Sequence, residues 1–482
     1  MGKILRREVV QPNHPTTAGA GRAVIASFIH LVIAIGLFFM AAAPAALAQG
    51  ANEGEELPVF AVDGFISASQ VNRQATTQWP EPNTQMEDKD LLGQTRLDIT
   101  MPRSNRYEFH LFGSMRKDTD GDQDITGYYP MEGPADTQTS DTRYYLFDAH
   151  VAFNKPLAII TQARLGRHAN NRDTQVILDG IAVDLSFSKQ LDLTLYGGNS
   201  VHYFEADQAK QSDPVSGAGL DFKPARYMKL SLDYLSLQDR RDPDEDIADQ
   251  LTAIKWWQRF SLNWLGVARM TQINGEQRNL KLRALGSMLD HMMVLRATYF
   301  RQYRTENELS NELSSFEQLL GASQPYQTTD LLLRWLFATH FALDLGTYKR
   351  SMLEEVTASP FNREYQRDFA VFQVLNLPME GLSVSLTTET WKSELREFST
   401  NGYDVGYRFR LMGQAGRVNA GSSFHIYQYD YYAELGERTE VRTNYLSAKV
   451  PVGFGTSINA RYEAETGDET YKTARLGVRY DF

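Results

Sequence analysis

The chain closes on Thr470-Tyr-Lys-Thr-Ala-Arg-Leu-Gly-Val-Arg-Tyr-Asp-Phe482, and this stretch decides the fold. Ala474, Leu476, Val478, Tyr480 and Phe482 fall on one side of an extended strand. Tyr471, Thr473, Arg475, Gly477, Arg479 and Asp481 fall on the other. Successive side chains of a strand leave opposite faces, so strict alternation is the signature of a strand between two different surroundings. An edge strand of a soluble sandwich alternates too, but it seldom keeps a fully apolar face up to an aromatic last residue. A strand with lipid on one side and a water-filled lumen on the other requires that pattern.

The same alternation runs back through the chain. It recurs in Thr95-Arg-Leu-Asp-Ile-Thr-Met101, Met228-Lys-Leu-Ser-Leu-Asp-Tyr234, Leu280-Lys-Leu-Arg-Ala284, Leu382-Ser-Val-Ser-Leu-Thr387 and Ile458-Asn-Ala-Arg-Tyr-Glu-Ala464. The pattern predicts an all-β chain: a transmembrane antiparallel β-barrel of about 22 strands (range about 18–24) over residues 58–482. With the first strand near 58–72, even-numbered links are short: Pro102–Asn105, Lys155–Leu157, Lys223–Arg226, Met412–Ala415 and Pro451–Gly453. Odd-numbered links are often long and polar: 74–90, 118–140, 205–213, 240–248, 305–325 and 352–361. Short turns at one rim and long loops at the other are the asymmetry of an outer-membrane barrel, with both termini at the short-turn, periplasmic rim. Aromatic side chains near strand ends (Tyr144-Tyr145, Trp256-Trp257, Tyr427, Tyr429 and Tyr431-Tyr432) suit girdles at the headgroup level; ordinary cross-strand pairs explain them individually as well.

The N-terminus supports export. Lys3, Arg6, Arg7 and Arg22 precede an apolar run from Ala23 to Ala43, and Ala46-Leu47-Ala48-Gln49 is a small-residue cleavage pattern. Residues 1–48 read as a secretory signal peptide, and 49–57 as a short periplasmic segment. A retained membrane helix is the alternative, which Pro44 and the Ala-x-Ala pattern disfavour. Mean hydropathy is -0.41, yet the chain holds 24 Tyr and 25 Phe. A barrel reconciles the two, because its apolar residues are spread one in two and never form a run. Cysteine is absent, so the chain has no disulfide and no thiolate metal site. The formal net charge is -11; less the leader's +3, the remainder carries -14. That acid excess argues against nucleic acid as a partner.

No catalytic constellation is present: no Gly-x-Ser-x-Gly, no phosphate loop and no His-Glu-x-x-His. The sequence therefore predicts neither an enzyme nor a cofactor. His168, at the loop end of a strand, reads as a lumen or rim residue. Asp118, Asp120, Asp122 and Asp124 alternate as weak Ca²⁺ candidates, but Gly121 stands fourth and no Glu closes the loop, so a solvated acidic loop is favoured. Thr305 and Glu308 form a capping box ahead of Leu309, Leu313, Phe316 and Leu320 at helical spacing, with Gly321 as the stop. This amphipathic helix is a candidate constriction folded into the lumen, or else packs on neighbouring loops. Parity places Arg96, Arg164, Lys229, Lys281, Arg283, Arg296, Arg408, Arg410, Arg461, Arg475 and Arg479 on the lumen face as candidate selectivity residues. Asp98, Asp233, Asp344, Glu463, Glu465 and Asp481 share that face. The wall tilts basic and favours anions, unless the charges merely pair in ladders.

These features resemble the porin-like outer-membrane β-barrels of Gram-negative bacteria, on overall pattern and on the Leu476-Gly-Val-Arg-Tyr-Asp-Phe482 ending. Arg164-Leu-Gly-Arg167 followed by Leu178-Asp-Gly180 is similar, weakly, to a strand–loop–strand of larger specific porins. The resemblance implies a channel for small polar solutes in the cell outer membrane, in contact with lipid and lipopolysaccharide; the preference for anions rests on the basic wall. It also implies recognition of Phe482 by the barrel-insertion machinery. About 22 strands exceed the usual open channel. An alternative follows: a barrel acting as a sheath around a partner in its lumen, such as a multihaem cytochrome of a transmembrane electron conduit. The Cys-x-x-Cys of one such sheath family is absent here. An outer-membrane lipase or protease is a third, weaker alternative.

Overall fold

The computed structural model describes residues 60–482 except 78–83, 102–105, 120–141, 171, 174–175, 202–212, 243–244, 306–323, 355–361, 394–396, 426–427, 430–436, 439–440 and 468–469. The leader, the segment 49–57, Asp120, Asp122, Asp124 and the amphipathic stretch with Leu309, Leu313, Phe316 and Leu320 thus lie outside the described residues, as do the turn Pro102–Asn105 and Tyr427, Tyr431 and Tyr432.

Strands follow one another along the chain. They begin with β1 (Ala61–Thr77), β2 (Thr84–Thr100), β3 (Tyr107–Asp118), β4 (Thr142–Asn154), β5 (Ile160–Ala169), β6 (Ile177–Ser188), β7 (Leu191–Ser200) and β8 (Pro214–Ala225). They continue as β9 (Met228–Asp242), β10 (Glu245–Ser261), β11 (Trp264–Ile273), β12 (Glu276–Met288), β13 (Met293–Gln302), β14 (Tyr326–Ala338), β15 (Phe341–Met352) and β16 (Tyr365–Leu375). The remainder are β17 (Leu382–Ser393), β18 (Glu397–Leu411), β19 (Gln414–His425), the small hairpin β20 (Gln428–Tyr429) and β21 (Glu437–Arg438), then β22 (Val441–Gly453), β23 (Thr456–Thr466) and β24 (Thr470–Asp481).

Each strand pairs antiparallel with its neighbour, β19 pairs with β22 across the small hairpin, and β24 pairs with β1. The sheet therefore closes on itself as a 22-stranded antiparallel barrel. The seam runs from Phe65 opposite Asp481 to Thr76 opposite Thr470. Beyond it, the Gly64 amide donates to the Phe482 carbonyl and the Phe482 amide to the Gly64 carbonyl, each at 3.1 Å. Closure satisfies every strand edge, which lipid demands of a spanning sheet. With strands about 4.8 Å apart and tilted about 40°, such a ring is roughly 40–45 Å across its backbone.

Directly paired residues share a face, so the register assigns inside and outside around the ring. The outward parity carries Leu165, Ile181, Leu195, Leu220, Leu232, Ile254, Leu282, Leu331, Leu345, Leu386, Leu446, Leu476 and Val478, all exposed. A wide, exposed apolar exterior belongs in lipid. One β-bulge resets the parity: Phe112 faces Asp148 and Gly113 faces Leu146, leaving Phe147 as the extra residue of β4. Tyr144 and Leu146 therefore point outward while His150 and Ala152 point inward.

Links alternate in length, as the sequence implies, with two corrections. The described parts of 74–90 and 240–248 are strand rather than loop. β1 and β2 run on to Thr77 and from Thr84, and β9 and β10 extend to Asp242 and from Glu245. Their polar side chains look like loop composition because the hairpins continue past the apolar band, where both faces tolerate polar residues. One long-side link is in fact a two-residue turn: Asn274 and Gly275 have φ of 52° and 81°, the type I′ geometry of tight hairpins. Met412-Gly413 and Phe454-Gly455 use the same geometry at the short-link rim.

Candidate functional site in the barrel lumen

The lumen face is the polar parity of the wall, and the register places all eleven cations singled out above on it. Arg475 stands opposite Val71, Arg479 opposite Ser67, Arg164 opposite Ala182 and Arg96 opposite Phe112. Six of them meet acids. Arg96 Nε lies 2.7 Å from Asp98 Oδ2, Arg164 Nη2 3.4 Å from Asp184 Oδ2 and Lys229 Nζ 3.1 Å from Asp221 Oδ2. Arg296 Nη2 lies 3.2 Å from Asp330 Oδ2, Arg461 Nη2 2.5 Å from Glu463 Oε1 and Arg479 Nη2 2.7 Å from Asp481 Oδ1. Arg475 donates from Nε to Ser69 Oγ at 3.1 Å. Among the described residues Lys281, Arg283, Arg408 and Arg410 have no acid partner, and Lys449, which sequence reading passed over, joins them on the same parity opposite Arg417.

Other lumen cations are consumed by ladders. Arg334 forks onto Asp344, with Nε 2.8 Å from Oδ1 and Nη2 2.6 Å from Oδ2. Arg367 forks onto Glu389, whose Oε2 also accepts from Trp391 Nε1 at 2.9 Å. Near the long-link rim Arg73 and Arg116 converge on buried Asp90. Asp118, the one described member of the Ca²⁺ candidate set, sits at the end of β3 and opposite Asp90. Among the described residues no group of His, Asp and Glu side chains is arranged to hold a metal ion. His168 is buried on the inward face beside His150, and its Nδ1 pairs with the Gly166 carbonyl at 2.9 Å.

The link between β5 and β6, at the long-link rim, is held by its own hydrogen bonds and by ion pairs to the wall. Asn170 accepts from the Arg172 and Val176 amides at 3.2 and 3.3 Å, and its own amide donates to the Val176 carbonyl at 2.9 Å. This self-bonded turn folds inward and aims Arg172 along the wall. Arg172 Nε reaches Asp233 Oδ1 at 2.5 Å on β9, and Nη1 reaches Asp221 Oδ2 at 2.9 Å on β8. Ser231 Oγ donates to Asp221 at 2.6 Å. The next residue, Asp173, takes Lys255 Nζ at 3.2 Å from β10 and a hydrogen bond to its carbonyl from Arg269 of β11. The link thus crosses the inner face of four strands. Burial works against the Arg172 charge, but the Asp221 and Asp233 carboxylates outweigh it and raise its pKa above the ordinary value. Below the loop, Leu178, Ala182, Tyr196, Val215 and Leu235 form an apolar cushion inside the barrel, with Val176 packed against it.

Pattern reading missed this loop. Asn170-Asn-Arg-Asp173 looks like an ordinary polar turn, and only the inward cushion of Leu178 and Leu235, at odds with a polar lumen, signals that something covers it.

No family model and no curated protein matches the chain. Among solved structures it is similar to the P pilus usher (PapC) translocation pore, with TM-score 0.48 and 9% identity over 87% of this chain and 99% of that one. Acinetobacter baumannii OccAB2 gives TM-score 0.42 and 11% identity over 87% and 98%. Pseudomonas aeruginosa OccK2 (OpdF), solved in complex with glucuronate, gives TM-score 0.41 and 11% identity over 87% and 98%. These similarities are low.

Proposed function

We propose that the protein is a porin-like channel of a Gram-negative outer membrane that passes small polar solutes and favours anions. The observation that carries this is a group of lumen cations, Lys281, Arg283, Arg408, Arg410 and Lys449 among them, that have no acid partner among the described residues, in a chain whose overall charge is -11. Unpaired charge on a low-dielectric wall sets the local potential, whereas paired charge largely cancels. The leader directs export, Phe482 addresses the chain to the insertion machinery, and the long links face outward among lipopolysaccharide. Reversal potentials in planar bilayers under a salt gradient test the proposal: anion preference is expected, and clear cation selectivity overturns it.

A second reading is favoured by the short-link rim. Its turn tips are apolar and exposed: Leu262 at 81%, Met412 at 70% and Phe454 at 98%, with Leu157, Leu289 and Met379 beside other turns. A rim of this kind suits a periplasmic protein seated at the mouth, the sheath arrangement. Purification of the native complex decides: a haem absorbance band that co-migrates with a poorly conducting barrel supports the sheath, and steady large channels from the barrel alone refute it.

A further inference from the structure

One recess in the lumen wall lies beside the inward loop and shares Lys255 with it. It has a volume of 570 Å³, within the range of small-molecule sites, and opens near the short-link rim between the β6–β7 turn and strands β8 to β10. Lys189, Lys223, Arg226, Lys229, Lys255 and Trp257 line it. Lys229 stands directly opposite Trp257, and Lys255 one step along the strand opposite Ser231. The Lys223 amide donates to the Gln190 carbonyl at 2.8 Å, which brings the Lys189 turn to the same edge.

The acids nearby are already engaged. Asp192 takes Lys223 Nζ at 2.7 Å, Asp221 is shared by Arg172, Ser231 and Lys229, and Asp173 is shared by Lys255 and Arg269. Asp233 holds Arg172. Seven cations, with Arg172 and Arg269 included, therefore face four acids, a local excess of three positive charges. Lys189 and Arg226 have no acid partner among the described residues; the Arg226 guanidinium instead lies 5.4 Å from the Tyr227 ring centre.

We propose that this recess binds a small solute carrying two anionic groups on a flat ring. The ammonium groups sit on separate strands and turns, so they cannot all converge on one oxyanion, and two charges set apart match them better than one. Trp257 supplies a rigid face for a ring between them. The site deepens the anion-channel reading, because the solute reaches it through the lumen, but its affinity comes from the recess itself.

Isothermal titration of the full chain in detergent tests it with three probes: phthalate, a flat dianion; benzoate, a flat monoanion; and succinate, a dianion without a ring. Phthalate is expected to bind at least about tenfold tighter than either of the others. The double variant Lys189→Gln with Arg226→Gln changes two rim residues that make no ion pair, and it is expected to weaken phthalate by about tenfold. Trp257→Leu is expected to bring phthalate down to the level of succinate and to leave succinate unchanged, which a merely loosened wall does not do. Equal binding of the three probes, or phthalate affinity unmoved by either variant, overturns the site. Reversal potentials report separately on the channel: anion preference without the probe order removes only the site, and the probe order without anion preference removes only the channel reading.

Discussion

Replacing Arg172 by alanine removes the clamp that holds the β5–β6 link against the wall. The guanidinium bonds Asp233, whose side chain is 2% exposed, and Asp221, at 13%. Each charge-assisted bond is worth about 1.5–3 kcal/mol, and deleting one partner of a buried pair leaves an uncompensated carboxylate, for a total of about 3–5 kcal/mol. Ser231 and Lys229 still serve Asp221, and the Asp173 backbone amide still serves Asp233, so the lower part of that range applies. The remaining tethers, Lys255 and Arg269 on Asp173, are more exposed and hold the link less firmly. The detached population is expected to rise by about two to three orders of magnitude. Hydrogen exchange of the Arg172 and Val176 amides reads the detachment directly, and single-channel conductance is expected to rise as the link leaves the lumen. Arg172→Lys, which keeps one charge but loses the fork, is expected to fall between. Unchanged exchange and unchanged conductance in Arg172→Ala refute the clamp.

Three further outcomes are expected. Arg408→Gln combined with Arg410→Gln removes two unpaired lumen charges, and the anion-to-cation permeability ratio is expected to fall about two- to threefold at low salt and less at high salt, because exposed charges are screened; an unchanged ratio contradicts the role given to them. Deleting Phe482 removes the two closing hydrogen bonds with Gly64, a loss of about 2 kcal/mol, so a yield of heat-modifiable barrel that collapses while the surviving barrel melts almost normally separates recognition of the terminus from closure. Gly180→Val is expected to prevent assembly, since a Cβ there meets the Gly197 carbonyl oxygen at 2.1 Å, whereas Gly413→Ala meets nothing within 4 Å and costs only about 1–2 kcal/mol for its φ of 78°, as measured by urea unfolding.

Much of the architecture was legible in the chain because a membrane barrel repeats one local rule. Leu476, Val478 and Tyr480 announce their face by period alone, and the strand number follows from counting such segments. Strand ends were less legible. Gln74, Thr76, Gln85 and Glu87 read as loop because strands that extend beyond the apolar band lose their alternation, although their backbone pairing continues. Inward and outward placement of the eleven cations follows from parity, but their pairing does not. Arg296 finds Asp330 34 positions away and Arg408 finds no acid among the described residues, and nothing in either local sequence distinguishes the two.

Read residue by residue, the chain shows that it alternates, that its last strand carries a greasy face to Phe482, and that its wall is mixed in charge while the chain as a whole is acidic. These are local properties, and the two-residue period of a strand transmits them without help from the rest of the molecule. Which charges cancel depends on the closed barrel. Closure at Gly64 and Phe482 fixes the register, the register sets Lys229 beside Asp221 and Trp257, and the inward turn of Asn170 carries Arg172 across β6 and β7 to reach both Asp221 and Asp233. Those contacts join residues on different strands and turns, where one residue of slip moves a charge to the other face of the sheet.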